Sequence, residues 1–203
     1  MRVAVITGAA SGIGRATAVA FAKTATLALA DRDHAGLLET QRLVTEQGGR
    51  ASTHVVDVSD EATVNAFAAE VIAAHGTIDI LVNNAGVALF GTIAELETSE
   101  MAWLMNVNFW GTVYMTKAFL ATLIARPHAN IVNISSVFGL YGPPGQSAYA
   151  ASKFAVKGFT ESLRAELAGT NVRVTTVHPG GIKTNIAASS RIARNADPAK
   201  ASA

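Results

Sequence analysis

Short β-branched or apolar runs alternate along this chain with longer stretches in which apolar positions recur at helical spacing. The runs are Val3–Thr7, Thr26–Ala30, Ala51–Val56, Ile78–Val82, Asn130–Ser135 and Val172–Val177. Between them lie Ile13–Lys23, His34–Gln47, Asp60–His75, Ser99–Ala125 and Ser147–Ala168, each long enough for a crossover helix. Such alternation predicts an α/β fold of three layers: a doubly wound, Rossmann-like sheet of about six parallel strands, covered by helices on both faces. Ligands on such sheets bind beyond the carboxyl ends of the strands, so the chemistry is to be sought just after each run.

Composition narrows the field. Hydrophobic residues make up 50% of the 203 residues and charged ones 15%, against a typical charged share of about 25%. This balance points to elements buried on both faces or to a subunit interface. With 16 basic and 15 acidic residues the formal charge is +1, and no block of like charge occurs. The concentrated positive field that nucleic acid or an anionic membrane would demand is missing, so neither is an expected partner. The absence of cysteine excludes disulfides, a thiol nucleophile and thiolate metal ligands. His34, His54, His75, His128 and His178 are scattered, and no metal site is expected from them. The chain runs at once from Met1 into a strand and turn, which reads as a soluble, cytoplasmic protein.

The first run ends in Thr7-Gly8-Ala9-Ala10-Ser11-Gly12-Ile13-Gly14, where a helix opens. Gly8 suits a tight turn, Gly12 a close approach of backbone to a pyrophosphate, and Gly14 a helix lying near the sheet. The free N–H groups of the helix start then favour phosphate oxygens. The spacing is Gly-x-x-x-Gly-x-Gly rather than Gly-x-Gly-x-x-Gly, and a plain strand–helix turn is the competing reading. Asp31 closes the second run, 17 residues after Gly14. A carboxylate there either accepts the adenosine ribose hydroxyls and repels a 2′-phosphate, or serves as a loop acid or helix cap. Arg32, next in line, is able to pair with such a phosphate, so NAD is the preferred cofactor and NADP stays open. After the third run, Asp57 and Val58 either meet an adenine or belong to a capping turn with Ser59 and Asp60. After the fourth come Asn83-Asn84-Ala85-Gly86, where Asn84, Ala85 and Gly86 either leave room for a ribose or stabilise the turn.

The fifth run ends in Ser135-Ser136, and 13 residues beyond Ser136 stands Tyr149-Ala150-Ala151-Ser152-Lys153. Residues at i and i+4 share a helix face, so the Tyr149 hydroxyl and the Lys153 ammonium are able to point into one cleft. Bringing a phenol from about 10 to near 7 takes roughly 4 kcal/mol. One ammonium at about 4 Å supplies around that much at an effective dielectric of 20. A half-dry cleft would then make Tyr149 a usable acid–base, although a Tyr-x-x-x-Lys pair alone is common on ordinary helices.

Taken together, Thr7–Gly14, Asp31, Asn83–Gly86, Asn108, Ser136, Tyr149, Lys153 and Pro179-Gly180 resemble, in order and spacing, the short-chain dehydrogenase/reductase family, over residues 2 to about 186. The resemblance implies hydride transfer between a nicotinamide cofactor and a carbonyl/alcohol pair. Within it Tyr149 would be the general acid–base, Ser136 would hydrogen-bond the reacting oxygen, and Lys153 would lower the tyrosine and hold the nicotinamide ribose. Asn108 would bend its helix and anchor a relay water. Ile182 and Thr184 would lie against the nicotinamide carboxamide, with Pro179 and Gly180 shaping the turn. The family also implies a small-molecule carbonyl or alcohol substrate and a homodimer or homotetramer formed through 99–125 and 147–168. Val137, Phe138, Leu140 and Tyr141 line an apolar substrate pocket on this reading, or else pack the core.

Two departures stand out. Lys23-Thr24-Ala25-Thr26 fills the place of the family's Gly-Ala turn, so the first helix is expected to end without a left-handed glycine cap. The family continues past Pro-Gly with a substrate loop, further helices and a seventh strand. Here 187–203 is a stretch rich in Ala, Ser and Arg, expected to be an irregular tail or the start of a truncated substrate loop. The dinucleotide-binding and catalytic domain is then 1–186, and the sixth strand lies at an edge open to other chains. A nicotinamide-binding protein without turnover is the alternative that the short C-terminus favours.

Overall fold

The computed structural model describes residues 2–182, 186 and 189–196. Strand β1 (Arg2–Thr7) is followed by helix α1 (Gly12–Phe21), β2 (Ala25–Asp31), α2 (His34–Glu46), β3 (Arg50–Val55), α3 (Glu61–His75) and β4 (Ile80–Asn83). Then come β5 (Leu89–Phe90), α4 (Thr98–Met105), a π-helical turn (Asn106–Trp110), α5 (Gly111–Ile124), β6 (Ala129–Ile134), a 3₁₀ turn (Val137–Gly139), α6 (Ser147–Glu166), β7 (Val172–Val177) and β8 (Arg191–Ile192). Six strands form one parallel sheet in the order β3-β2-β1-β4-β6-β7, the doubly wound arrangement expected from the alternation.

Alternation within each strand decides what packs where. On β1, Val3 and Val5 join α3, α5 and α6 in one core cluster, while Ala4 and Ile6 join α1 and α2 in the other. The inner strands β1, β2 and β4 are apolar on both faces because both faces are covered, whereas the edge strands β3 and β7 carry polar residues. One polar chain interrupts this. The Asn83 amide donates to Thr116 Oγ1 on α5 and to Asn133 Oδ1 on β6, and the Asn133 amide donates to Thr160 Oγ1 on α6. All four residues are buried. Beneath it the sheet's opposite end is closed by Asp79, which accepts from the Val3 N–H and pairs with Arg126 at 2.7 Å.

The helical stretch 99–125 is not one helix. A π-helical turn separates α4 from α5 without a break in direction of the chain's hydrogen bonding, since Gly111 N–H reaches back to Asn106 O. Helix α1 ends as its sequence implies, without a left-handed residue: the Ala22 N–H returns to Val19 O and the Thr24 N–H to Phe21 O. Among the described residues β7 pairs with β6 alone, leaving its other edge open. Within 187–203, Arg191–Ile192 pairs in parallel with Leu89–Phe90. There the Arg191 guanidinium lies 3.8 Å from the Trp103 ring centre and Arg194 pairs with Glu97. Among the described residues no helix is long and apolar enough to cross a membrane.

Candidate active site

At the carboxyl end of β1 the chain turns through Gly8 (φ 64°) and Gly12 (φ 51°), the left-handed region that only glycine enters cheaply. A Cβ on Gly8 would stand 2.7 Å from Asn84 Nδ2, and one on Gly14 would stand 2.1 Å from Gly8 O. The loop is therefore folded tightly on itself and on the end of β4. Asn84 Nδ2 donates to Thr7 O and Gly8 O, and Thr7 Oγ1 accepts from the Asn84 and Ala85 N–H groups. Asp31 accepts from Ala10 N–H at 3.0 Å and from Asp33 N–H at 3.1 Å, tying the loop to the end of β2. Arg15 donates to Ala10 O and to Thr40 Oγ1. Ser11 precedes α1 without capping it through its side chain, so the first-turn N–H groups are open to an anion.

In front of this loop runs a cleft of about 300 Å³. Gly8, Ser11, Gly12, Ile13, Asp31, Arg32, Asp57, Val58, Asn84, Ala85 and Gly86 line one part of it, and Ser136, Tyr149, Lys153, Pro179, Gly180 and Ile182 the rest. Those residues, picked from separate parts of the sequence, meet. Thr7 and Gly14 stand behind the lining as supports, and Thr184 lies outside the described residues. Val56, Val87, Val107, Ile134, Ser135, Ile186 and Ser189 complete the wall and were not singled out from sequence. Val56 and Ile134 end or follow strands, which is the signal that would have found them. Asp57 is both lining and turn: one oxygen accepts from Ser59 N–H and Oγ, the other pairs with Arg32 at 3.6 Å. The capping of α3 falls to Asp60.

The second half of the cleft is built on α6. Tyr149 and Lys153 stand one turn apart, both buried, with the Lys153 nitrogen 5.7 Å from the Tyr149 ring centre. Lys153 Nζ donates to Ile134 O at 3.1 Å. Gly86 leaves the room for this: a Cβ there would stand 3.4 Å from that nitrogen. Ser136 Oγ accepts from Phe138 N–H at 3.1 Å, and the serine hydroxyl bonds the Tyr149 oxygen. The Ser136 carbonyl meets His178 Nδ1 at 2.9 Å, and Val137 N–H donates to Pro179 O, so the loops after β6 and β7 are tied together.

The electrostatics differ from the sequence expectation. Burial pushes the Tyr149 phenol above its ordinary value, opposed by the Ser136 hydrogen bond. Burial likewise lowers the Lys153 ammonium to about 8. With burial the larger effect, the phenol stands above its ordinary value rather than below it. Asn108 lies outside the cleft lining. It sits in the π-helical turn with its side chain buried. Its oxygen accepts from Val87 N–H at 2.8 Å, and its amide donates to Val87 O and Ser152 Oγ.

Chemically, the arrangement suits an elongated anionic ligand. The glycine turn and open helix start suit a pyrophosphate, Asp31 suits ribose hydroxyls, and Lys153 with Tyr149 and Ser136 offers three polar groups around one point. Residues 2–195 match the family model described as short chain dehydrogenase. SadH of Mycobacterium tuberculosis is 49% identical over 199 residues, 97% of this chain and 72% of that protein. A short chain dehydrogenase/reductase from Burkholderia phymatum, solved in complex with NAD, is 38% identical with a TM-score of 0.89, over 93% of this chain and 68% of that one. An alcohol dehydrogenase from the archaeon Thermococcus sibiricus, complexed with 5-hydroxy-NADP, is 32% identical with a TM-score of 0.88, over 94% and 81% of the two chains. Matches of this extent across sequence and structure, added to a cleft whose lining carries the family's motif residues, mean that this chain belongs to the short-chain dehydrogenase/reductase family of oxidoreductases.

Proposed function

We propose that the chain transfers a hydride between NAD(H), with NADP(H) as the second choice, and a secondary alcohol or ketone of small to medium apolar type. The observation that carries this is the juxtaposition of Ser136, Tyr149 and Lys153 with the glycine loop and Asp31 in one cleft. The dinucleotide, when bound, supplies or accepts the hydride. Tyr149, kept protonated by burial, gives its proton to the carbonyl oxygen in the reducing direction and takes it back in the other. Ser136 donates to that same oxygen and holds the reacting carbon in place. Lys153 has one donor committed to Ile134 O and two left for ribose hydroxyls and a relay water.

Asn108 holds the Val87 backbone, and with it Gly86, against Lys153. Asp31 selects against a 2′-phosphate, with Asp57 and Val58 at the adenine. Pro179 and Gly180 shape the turn that brings Ile182 and Thr184 to the carboxamide. Residues 1–186 are the unit that performs the reaction, in the cytoplasm, as a homodimer or homotetramer in which α4–α5 and α6 supply the contacts. Exposed Trp110 and Phe154 on those helices support such a face. The test is NADH oxidation over a panel of ketones, with Tyr149→Phe as control. Turnover that falls at least about 100-fold in the variant supports the reading. Saturable NADH binding without turnover of any ketone would instead leave a binding module.

A further inference from the structure

We propose that Phe138 is the positioning residue of this site: its backbone N–H fixes the Ser136 hydroxyl while its ring sets the aim of the Tyr149 phenol. The inference rests on the catalytic reading above and deepens it. Phe138 is only half-buried, yet it meets both reacting residues, the serine at its hydroxyl and the tyrosine at its ring. Its N–H donates to Ser136 Oγ at 3.1 Å, which fixes the serine hydroxyl beside Tyr149 in the cleft. Its ring meets the Tyr149 ring edge-on, at 6.2 Å between centres and 89° between planes. This is the favoured geometry of an aromatic pair, and it limits the rotation and tilt of the phenol. On its other side Tyr141 braces it at 5.4 Å and 82°.

The backbone beneath the ring is fixed, so the ring has a defined place. Gly139 N–H donates to Ser136 O, and Leu140 N–H to Val137 O, closing the 3₁₀ turn. That turn is pressed onto α6: a Cβ on Gly139 would stand 2.3 Å from Ser135 Oγ and 2.9 Å from Lys153 O. Ser135 Oγ itself donates to Lys153 O at 2.9 Å. The helix segment carrying Tyr149 and Lys153 and the turn carrying Ser136 and Phe138 are thus one rigid assembly. Phe138 is the member of it that reports the serine's position to the tyrosine. An apolar ring at that place also shields the phenol from water, where a smaller side chain would admit it.

The experiment compares wild type, Phe138→Leu and Phe138→Tyr, with Phe138→Met in reserve if the leucine variant does not fold. Three readouts are taken: kcat and KM with a ketone from the panel, the NADH dissociation constant, and the Tyr149 titration by NMR of Cζ-labelled tyrosine, assigned with Tyr149→Phe. Expected for Phe138→Leu is a kcat at least tenfold lower, an NADH dissociation constant within twofold of wild type, and a Tyr149 midpoint moved down as water reaches the phenol. Phe138→Tyr, which keeps the ring, restores kcat to within threefold. A leucine variant with wild-type kcat and wild-type titration overturns the proposal, as does a tyrosine variant equally impaired. The NMR arm needs no turnover. A shifted Tyr149 in a protein that reduces no ketone leaves the positioning in place and removes the catalytic reading, while turnover with an unmoved Tyr149 and kcat removes the positioning alone.

Discussion

The Ser135 hydroxyl donates to the main-chain carbonyl of Lys153 at 2.9 Å, while the next residue, Ser136, turns its hydroxyl to Tyr149. Two adjacent serines therefore divide the work: one pins the turn to α6, the other faces the reacting groups. Ser135→Ala removes this bond from a carbonyl that keeps its place in the α6 helix, and is expected to cost about 0.5–1.5 kcal/mol, a fall in Tm of about 1–6 °C. Ser136→Ala is expected to keep most of that stability and to lower kcat by about 100-fold or more. Calorimetry and ketone reduction on the two variants decide the assignment, and an exchange of the two phenotypes would reverse it.

Lys153 gives a pH signature. Burial lowers its ammonium to about 8 from an ordinary 10.5, so between those values the unfolded chain holds more protons than the folded one. Stability contributed through this group therefore rises with pH from about 8 to 10.5, and below 8 the whole penalty of enclosing the charge is present. The penalty is on the order of 3 kcal/mol. In urea denaturation Lys153→Met is expected to be at least as stable as wild type at pH 7, with its advantage shrinking toward pH 10. An advantage that grows with pH would contradict the burial.

Glycine positions separate by what stands around them. Gly14→Ala drives a Cβ into Gly8 O, and is expected to destabilise by about 1–3 kcal/mol and to abolish dinucleotide binding by displacing the loop. Gly180→Ala meets nothing within 4 Å at a position with no positive φ, and is expected to stay within about 0.5 kcal/mol of wild type. Chemical denaturation and NADH titration of both variants test the contrast.

Asp31 is held by two backbone N–H groups, so its carboxylate stands ready at the ribose end. Asp31→Ala is expected to raise the kcat/KM ratio of NADP over NAD about tenfold, since Arg32 remains and the repelling charge is gone. An unchanged ratio would show that the selectivity lies elsewhere.

Much of this architecture is written in local pattern. The strands follow from β-branched runs, and the cleft's membership follows from the rule that ligands sit beyond strand ends: Gly8, Asp31, Asp57, Asn84 and Ser136 all come just after a run. The Tyr149–Lys153 pair follows from helical period alone. What escaped sequence reading depends on tertiary contact. The stretch 99–125 has uninterrupted helix-forming composition, and nothing local marks the π-helical turn that Asn108 makes while reaching Val87. The pairing of Arg191–Ile192 with Leu89–Phe90 joins residues about a hundred apart in two-residue strands too short to show a period. The phenol's raised pKa escaped for the same reason, because the sequence names the neighbouring ammonium but not how deeply both groups lie.

The amide chain from Thr116 through Asn83 and Asn133 to Thr160 has a consequence for how the central strands find each other. Strands that are apolar on both faces offer little to distinguish one alignment from another, and a slip would exchange one aliphatic contact for a similar one. Asn83 opposite Asn133 removes that degeneracy. Moved by one residue, each amide would turn from a hydroxyl to the aliphatic layer on the opposite face, and unpaired buried amides cost about 1–3 kcal/mol each. The polar chain acts as a key cut into an otherwise smooth surface, and it holds β4 and β6 in the one register from which Asn84 and Ser136 both reach the cleft.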